Sequence, residues 1–494
     1  MVQHVWKCSS LLPPIRWHLL RMMSTASVPV MPECDYKPKP YRGPTYEKIM
    51  KIRSKHVSPT VKPTFNKPLI LSEGKMQWLW DNEGKRYLDL FAGIVTVSVG
   101  HCHSKVVEPL KQQLDYLWHT TQLYVNYPMY EYAEKLTAKM PGNLKVCFFT
   151  NSGSEANDLA MVLAREYTKA FDIISFRNCF HGSSPYTAGL TAHGSWKNAY
   201  ANGFGIHHAM NPDPYQGIWG GSNCRDSLVQ TDRTCSCADD QCQAEDKYLE
   251  QLQEIFDNSI GKRVAGFFAE AIQGVGGVVQ YPKNFLAKAY EMVRSRGGLC
   301  IADEVQTGFG RTGTHMWGFE SHGVIPDIVT MAKGIGNGFP MGAVVTTPEV
   351  VNAIADVSLL NTFAGNPMAT TVANKVLDVI EEEKTQERSL EIGNYMIKEL
   401  VKLRDEFEIV GDVRGKGLML GVEMVENKET RRPLNPQSMG EIRDAIKDLG
   451  VIIGIGGLRS NTFRIKPPMC ITKEDANFAV AVVRKAIGDF LRKQ

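Results

Sequence analysis

Lys333 follows the apolar run DIVTM (327–331) and precedes a glycine cluster, GIGNGFPMG (334–342). The run has the β-branched content of a short buried strand. The glycines rule out a long regular helix and mark a tight, closely approached loop. A lysine at a strand end ordinarily points into water, because lysines are almost never fully buried unless paired. Asp303 ends a second run, GLCIA (298–302), where an acid serves as a helix cap, a metal ligand or the partner of a buried cation. With Glu304 the string LCIADE resembles the acidic strand of nucleotide hydrolases, which also requires a phosphate loop G-x-x-x-x-G-K-[ST]. The GK pairs at Gly74, Gly84, Gly261 and Gly415 are followed by Met, Arg, Arg and Gly, so nucleotide hydrolysis is excluded.

Two more clusters carry chemistry. NSGSEA (151–156) follows the run KVCFFT (145–150) and opens a helical pattern. Its small residues allow close backbone approach, and the free N–H groups of a helix start favour a phosphate. The alternative is a plain N-cap, with Ser152 or Ser154 supplying the capping hydroxyl. FHG (180–182) follows the run around Ile174, and an aromatic there either covers a flat ring or packs in the core. Gly415-Lys416-Gly417 begins an apparent dinucleotide fingerprint, but its third glycine falls one place late at Gly421 and no βαβ unit follows, which sets aside a nicotinamide dehydrogenase. What remains is a phosphate site, a ring-covering aromatic, a strand-end aspartate and a strand-end lysine, in that order. Pyridoxal phosphate needs these four: a lysine for its aldehyde, an anion for its protonated ring nitrogen, a helix N-terminus for its phosphate and an apolar cover for its ring.

The elements that must position these groups are legible as a pattern. Apolar runs of strand length, KVCFFT (145–150), DIISF (172–176), VAGFFAE (264–270), GLCIADE (298–304) and DIVTMAK (327–333), alternate with helical segments such as SEANDLAMVLAREYTKAF and PKNFLAKAYEMVRSRG. Continuously apolar strands separated by helices predict a mainly parallel sheet covered on both faces, with ligands at the carboxyl ends of its strands. Upstream, KMQWLWDNEGKRYLDLFAG predicts two short strands around the turn 81–84. From about residue 372 the pattern becomes α+β: a long amphipathic helical region (372–407), a hairpin in VGDVRGKGLMLGVEMV, then a strand, a loop and a final helix.

Composition sets the outer limits. The chain has 494 residues, 43% hydrophobic and 22% charged, with a net charge of +3, enough for two or three domains with ample core and too mild a charge to argue for nucleic acid. No stretch approaches the ~20 uninterrupted apolar residues of a membrane helix. The first thirty residues carry Lys7, Arg16 and Arg21 but no acid before Glu33, and their apolar stretch is broken by Pro13, Pro14, Arg16 and His18. That pattern predicts a mitochondrial transit peptide over residues 1–30 and a matrix destination, which suits reduced thiols.

The string ADEVQTGFGRTG followed by PDIVTMAKGIGNGFPMG resembles the class III pyridoxal-phosphate aminotransferases. The resemblance extends through NSGSEAN, FHG, NTFAGNP and RGKGLMLG, from roughly residue 60 to the C-terminus. It implies an α/β protein of fold type I, with 31–91 contributing to a small domain, 92–371 forming the large cofactor-binding domain, and 372–494 completing the small α+β domain. It also implies a transaminase that passes an amino group from a donor such as alanine, a β-amino acid or a methylated arginine to glyoxylate, working as a homodimer or tetramer. Ornithine or ω-amino-acid transamination is the alternative, and an inactive scaffold the reading from another class.

By matching position, Lys333 would bind the cofactor and shuttle the proton at Cα, and Asp303 would pair with the pyridine nitrogen. Gly153 and Ser154 would hold the phosphate, joined by Thr362 from the partner subunit. Phe180, with His181 beside it, would cover the ring, and Gln306 would meet the ring hydroxyl region. Arg464 would bind the substrate carboxylate in a bidentate manner, and Glu270 would pair with Arg464 when that carboxylate is missing.

Two positions depart from the family pattern. Ala271 stands where proline is common, which is expected to loosen Glu270, and Ala364 stands where glycine is common, which would strain the Thr362 loop if that position needs a positive φ. Two further motifs concern metals. Cys224, Cys235, Cys237 and Cys242 lie in one polar insertion, and four thiols so placed could bind zinc. The C-x-C step is shorter than the usual spacing, however, so loop cysteines without a ligand are the favoured reading and no metal is assigned. Gly100-His101-Cys102-His103 resembles a metal motif that lacks an acid or third ligand, and is expected to be a loop of the family.

Overall fold

A computed structural model describes residues 28–197, 203–238 and 242–494. The expected leader lies, apart from its last residues, outside the described residues. The first described strands are β1 (Leu71–Lys75), β2 (Trp78–Asp81) and β3 (Arg86–Asp89), with the β2–β3 turn where the sequence places it. Helices α1 (Ser104–Tyr116) and α2 (Tyr127–Ala138) lead into the central sheet.

That sheet contains β4 (Val146–Thr150), β5 (Ile173–Phe176), β6 (Ile206–Ala209), β7 (Gly266–Glu270), β8 (Leu299–Asp303), β9 (Ile328–Met331) and β10 (Gly342–Thr346). Its spatial order is β4-β10-β9-β8-β7-β5-β6. Crossover helices α3 (Gly153–Thr168), α4 (Gln243–Asn258) and α5 (Phe285–Ser295) cover its faces. Neighbouring residues of one strand serve opposite cores. Phe268, Ile301, Ile328 and Val344 pack with Ala160 and Ala164 of α3, while Phe267, Cys300, Val329 and Val345 join the larger core on the other side. Burial on both faces explains why these strands read as unbroken apolar runs.

The sheet is parallel except at β10, which runs antiparallel to both β4 and β9. The chain between Met331 and Gly342 is too short for a crossover helix and must turn straight back. Gly342 is needed there: a Cβ would lie 2.5 Å from Thr150 Oγ1 and 2.7 Å from the Ser152 carbonyl oxygen.

The C-terminal part contains α6 (Pro367–Glu382), α7 (Thr385–Glu406), β11 (Val410–Lys416), β12 (Met419–Met424), β13 (Val451–Ile452), β14 (Gly454–Gly456), β15 (Thr462–Ile465) and α8 (Lys473–Arg492). The long helical region read from the sequence is thus two helices, broken where Lys384 adopts φ 51°. β11 and β12 form the expected hairpin within the sheet β11-β12-β15-β14, whereas β13 runs parallel to β3 and completes the sheet β1-β2-β3-β13. The N-terminal strands therefore share a sheet with the C-terminal segment. Among the described residues no helix is long and apolar enough to cross a membrane.

Candidate active site

The groups singled out above gather at the carboxyl ends of the parallel strands, where open α/β sheets bind ligands. Glu270, Asp303 and Thr330 lie side by side in register on β7, β8 and β9. Lys333 opens the turn that follows β9 and holds φ 49°, an uncommon conformation for a side-chain-bearing residue. The loops after β4 and β5 bring Ser152, Gly153, Ser154, Phe180, His181 and Gly182 to the same cavity of about 110 Å³, which Asn157, Glu270, Asp303, Val305, Gln306 and Lys333 also line.

Asp303 is held firmly. Its Oδ2 accepts hydrogen bonds from Asn157 Nδ2 at 2.9 Å and His181 Nδ1 at 2.7 Å, and its Oδ1 accepts from the Val305 N–H at 3.0 Å. Asn157 also donates to the His181 carbonyl at 2.7 Å and accepts from the Thr330 hydroxyl at 2.6 Å. Burial opposes a charge on His181, but the neighbouring Cys179 and Asp303 outweigh it and hold the imidazole pKa well above its ordinary value. His181 thus bonds to Asp303 and orients its carboxylate while itself lining the same cavity.

The start of α3 satisfies the plain capping expectation and leaves more. Ser152 accepts from the Glu155 N–H, so it is the cap, while Ser154 Oγ accepts from the Ser183 N–H at 3.2 Å. Gly182, at φ 133°, presses the second loop against the helix start, where a Cβ would lie 2.7 Å from Ser154 Oγ. The substitution at Ala271 does not loosen Glu270, whose oxygens accept from the Phe180 N–H at 3.1 Å and the Gly274 N–H at 2.6 Å. Burial pushes the Glu270 carboxyl above its ordinary range, with His181 opposing and Asp303 adding to the effect. The half-buried Phe180 ring meets Trp196 edge-on at 5.3 Å.

A cationic rim completes the site. Among the described residues Lys333 makes no hydrogen bond or ion pair, and burial lowers its pKa despite Asp303 and Glu270. Arg464 on β15 is buried; its Nε donates to the Ile455 carbonyl at 3.2 Å, and one terminal nitrogen has no partner. Burial pushes its guanidinium down to about 10, against the pull of Glu270. Arg464 and Glu270 form no ion pair within 4 Å among the described residues, although Glu270 raises the Arg464 pKa electrostatically. Lys466 Nζ donates to Gln306 Oε1 at 2.9 Å, and burial followed by Arg464 drives its pKa well below the ordinary lysine value.

The sequence reading missed Lys466, Asn157 and Thr330. The string FRIKPP held the signal for Lys466, since residues two apart on a strand face the same way. Asn157 and Thr330 gave none, because only the packing of α3 on β9 joins them. Thr362 is exposed and does not line the cavity, although its neighbour Asn361 bonds to Glu155 and Asn151. Ala364 does not strain that loop, since the positive φ falls on Gly365 at 64°. The histidine motif is corrected in one respect: acids do accompany it. His101 Nε2 lies 2.8 Å from Asp89 and His103 Nε2 lies 3.2 Å from Glu383, each histidine facing a separate carboxylate.

A family model, aminotransferase class-III, matches residues 60–487. The chain belongs to the class III aminotransferases. This aminotransferase is 55% identical to human "Alanine--glyoxylate aminotransferase 2, mitochondrial", over 96% of this chain and 92% of that one. It is 47% identical to "Alanine--glyoxylate aminotransferase 2 homolog 2, mitochondrial" of Arabidopsis thaliana, over 91% and 89%. Among solved structures, an amine transaminase from an uncultivated Pseudomonas species in its PLP-bound form superimposes with a TM-score of 0.78 at 28% identity, over 88% of this chain and 98% of that one. The aminotransferase is a pyridoxal-phosphate enzyme acting on amino acids and keto acids, and its site suits that cofactor. It offers an unpartnered amine, an anchored carboxylate, a helix start with small residues, and an aromatic at the mouth.

Proposed function

We propose that this aminotransferase moves the amino group of alanine, or of a related donor such as a β-amino acid or methylated arginine, to glyoxylate, giving pyruvate and glycine. The observation that carries this reading is the close likeness, along nearly the whole chain, to the human enzyme of that name. Pyridoxal phosphate supplies an aldehyde that takes up amines and a ring that accepts the electron pair left at the substrate Cα. The residues here would do the rest. Gly153, Ser154 and the start of α3 hold the phosphate. Asp303, fixed by His181 and Asn157, holds the proton on the ring nitrogen. Phe180 covers the ring, and Gln306, braced by Lys466, faces its hydroxyl edge. Lys333 Nζ anchors the cofactor and then carries the Cα proton, a role suited to an amine whose pKa burial has lowered. Arg464 offers its unpartnered nitrogen to the substrate carboxylate.

The working unit we propose is a homodimer or a tetramer formed by two such dimers. Trp118, Leu123, Tyr124, Val125, Tyr127 and Phe363 expose large apolar side chains around the Thr362 loop, the kind of patch that marks a protein interface. A second copy seated there would bring Thr362 towards the neighbouring phosphate. We divide the chain into a small domain of 31–91 with 372–494 and a large domain of 92–371, and place the enzyme in the mitochondrial matrix behind a leader of residues 1–30. A panel of amino donors against glyoxylate and pyruvate tests the reaction. Alanine with glyoxylate should yield glycine and pyruvate in equal amounts. Turnover confined to ornithine or another ω-amino donor would replace this reading with the alternative.

A further inference from the structure

Among the described residues, no helix or strand lies between β6 and α4. So long a loop without its own secondary structure needs some other means of holding its shape. Three of its thiols converge from separate segments. Cys224 is fully buried, Cys237 lies beyond the turn at Ser222–Arg233, and Cys242 occupies the N-cap of α4. The Cys224 and Cys237 sulfurs are 3.9 Å apart, and all three sulfurs lie within 4.8 Å of one another. A disulfide requires about 2.05 Å between sulfurs, so these are unbonded thiols. Sulfurs arranged tetrahedrally around zinc at ~2.3 Å stand roughly 3.8 Å apart. Cys235, two residues before Cys237, lies outside that three-sulfur group, and its sulfur donates to the Ser222 carbonyl at 2.9 Å.

We propose that Cys224, Cys237 and Cys242, with Cys235 as the fourth ligand, bind one zinc ion as a structural staple remote from the catalytic lysine. The short C-x-C step is accommodated because Cys224 and Cys242 arrive from opposite ends of the insertion. All four thiols give up their protons on binding, so four protons are released for one divalent ion. Cys242 is the N-cap of α4, whose positive dipole end would favour its thiolate. The staple's consequence lies one residue away. Arg225 crosses to β11 and holds Asp412 through bonds of 2.7 and 3.0 Å, so the ion would fix the loop that ties the central sheet to the C-terminal part.

Elemental analysis of the desalted holoenzyme, grown with zinc, should find about one zinc per chain. Cys237→Ser and Cys242→Ser should each lose it, and Cys147→Ser, outside the cluster, should keep it. Because a ligand variant could misfold, the unaltered enzyme is also exchanged with cobalt, which should give the intense visible bands of a tetrahedral thiolate site. In the same protein the four thiols should react with a thiol reagent only after a strong chelator is added. Zinc-free enzyme whose thiols react equally with and without chelator would overturn the proposal, as would zinc retained by both ligand variants.

Discussion

At the scale of the residue, Lys333 is the amine on which the proposed chemistry depends, and its setting explains why a surface-seeking side chain sits where it does. It lacks any hydrogen-bond or ion-pair partner among the described residues, and burial disfavours its charge more than Asp303 and Glu270 restore it. Lys333→Ala is expected to lower transamination by about 10³-fold or more, since it removes the proposed proton carrier. It should also change the visible absorption of the bound cofactor. Steady-state assays and spectra of one preparation check both, and a variant that turns over normally would refute the assignment. Asp303 and Lys333 were legible in the sequence because each terminates an apolar run. The groups that brace Asp303 were not, because Asn157 lies on a helix more than a hundred residues before it and nothing local distinguishes it from a solvent-facing asparagine.

At the scale of the element, the site is a meeting of loop ends, and glycine decides how closely they meet. Gly182 has φ 133° and no room for a Cβ against Ser154, so Gly182→Ala combines backbone strain with a clash. The expected result is a protein that folds but holds pyridoxal phosphate more weakly by tenfold or so, about 1.4 kcal/mol. Titration of the apoenzyme with the cofactor measures this, and unchanged affinity would show that the loop yields. Strands β4, β5, β7, β8 and β9 were readable, since burial on both faces leaves unbroken apolar runs, whereas β6, β10 and the spatial order of the sheet were not. Nor were two local decisions. Lys384 breaks a pattern whose amphipathic character continues on both sides, and β10 runs antiparallel because the Lys333 turn is short. Neither feature alters the hydrophobic periodicity from which elements are read.

At the scale of the whole molecule, a buried charge network joins the polar insertion to the C-terminal part. Asp412 accepts from Arg225 and Arg414, all three at most 2% exposed. Burial pushes the Asp412 carboxyl up, but the two guanidinium groups outweigh it and hold the pKa below the ordinary range. A carboxyl lowered on folding stabilises the protein fully above its unfolded pKa and loses that contribution as pH falls through the folded value. Thermal stability is therefore expected to drop as pH falls below 3.8. Asp412→Asn should cost about 3–5 kcal/mol at pH 7 by leaving the buried Arg225 without a carboxylate while Arg414 keeps Glu423, and should flatten the acid limb. Melting curves across pH check the pair of effects. The exposed apolar patch gives a separate expectation: Val125→Asp should weaken self-association in sedimentation velocity while leaving the melting temperature nearly unchanged, because Val125 is 83% exposed in the single chain. A variant that sediments as the unaltered protein would move the interface elsewhere.

The order of the candidate groups along the chain was determined by sequence alone: a helix start with small residues, an aromatic, an aspartate and a lysine, each attached to its own strand or loop. That follows from physics acting over a few residues, where strand burial, glycine conformations and helix starts leave local marks. Tertiary structure decided which groups support them. Only the packing of α3 on the sheet sets Asn157 against Asp303, only β15 brings Lys466 to Gln306, and only the fold of the insertion collects Cys224, Cys237 and Cys242. Such contacts join residues far apart in the chain, and they arise from packing that no short stretch encodes by itself.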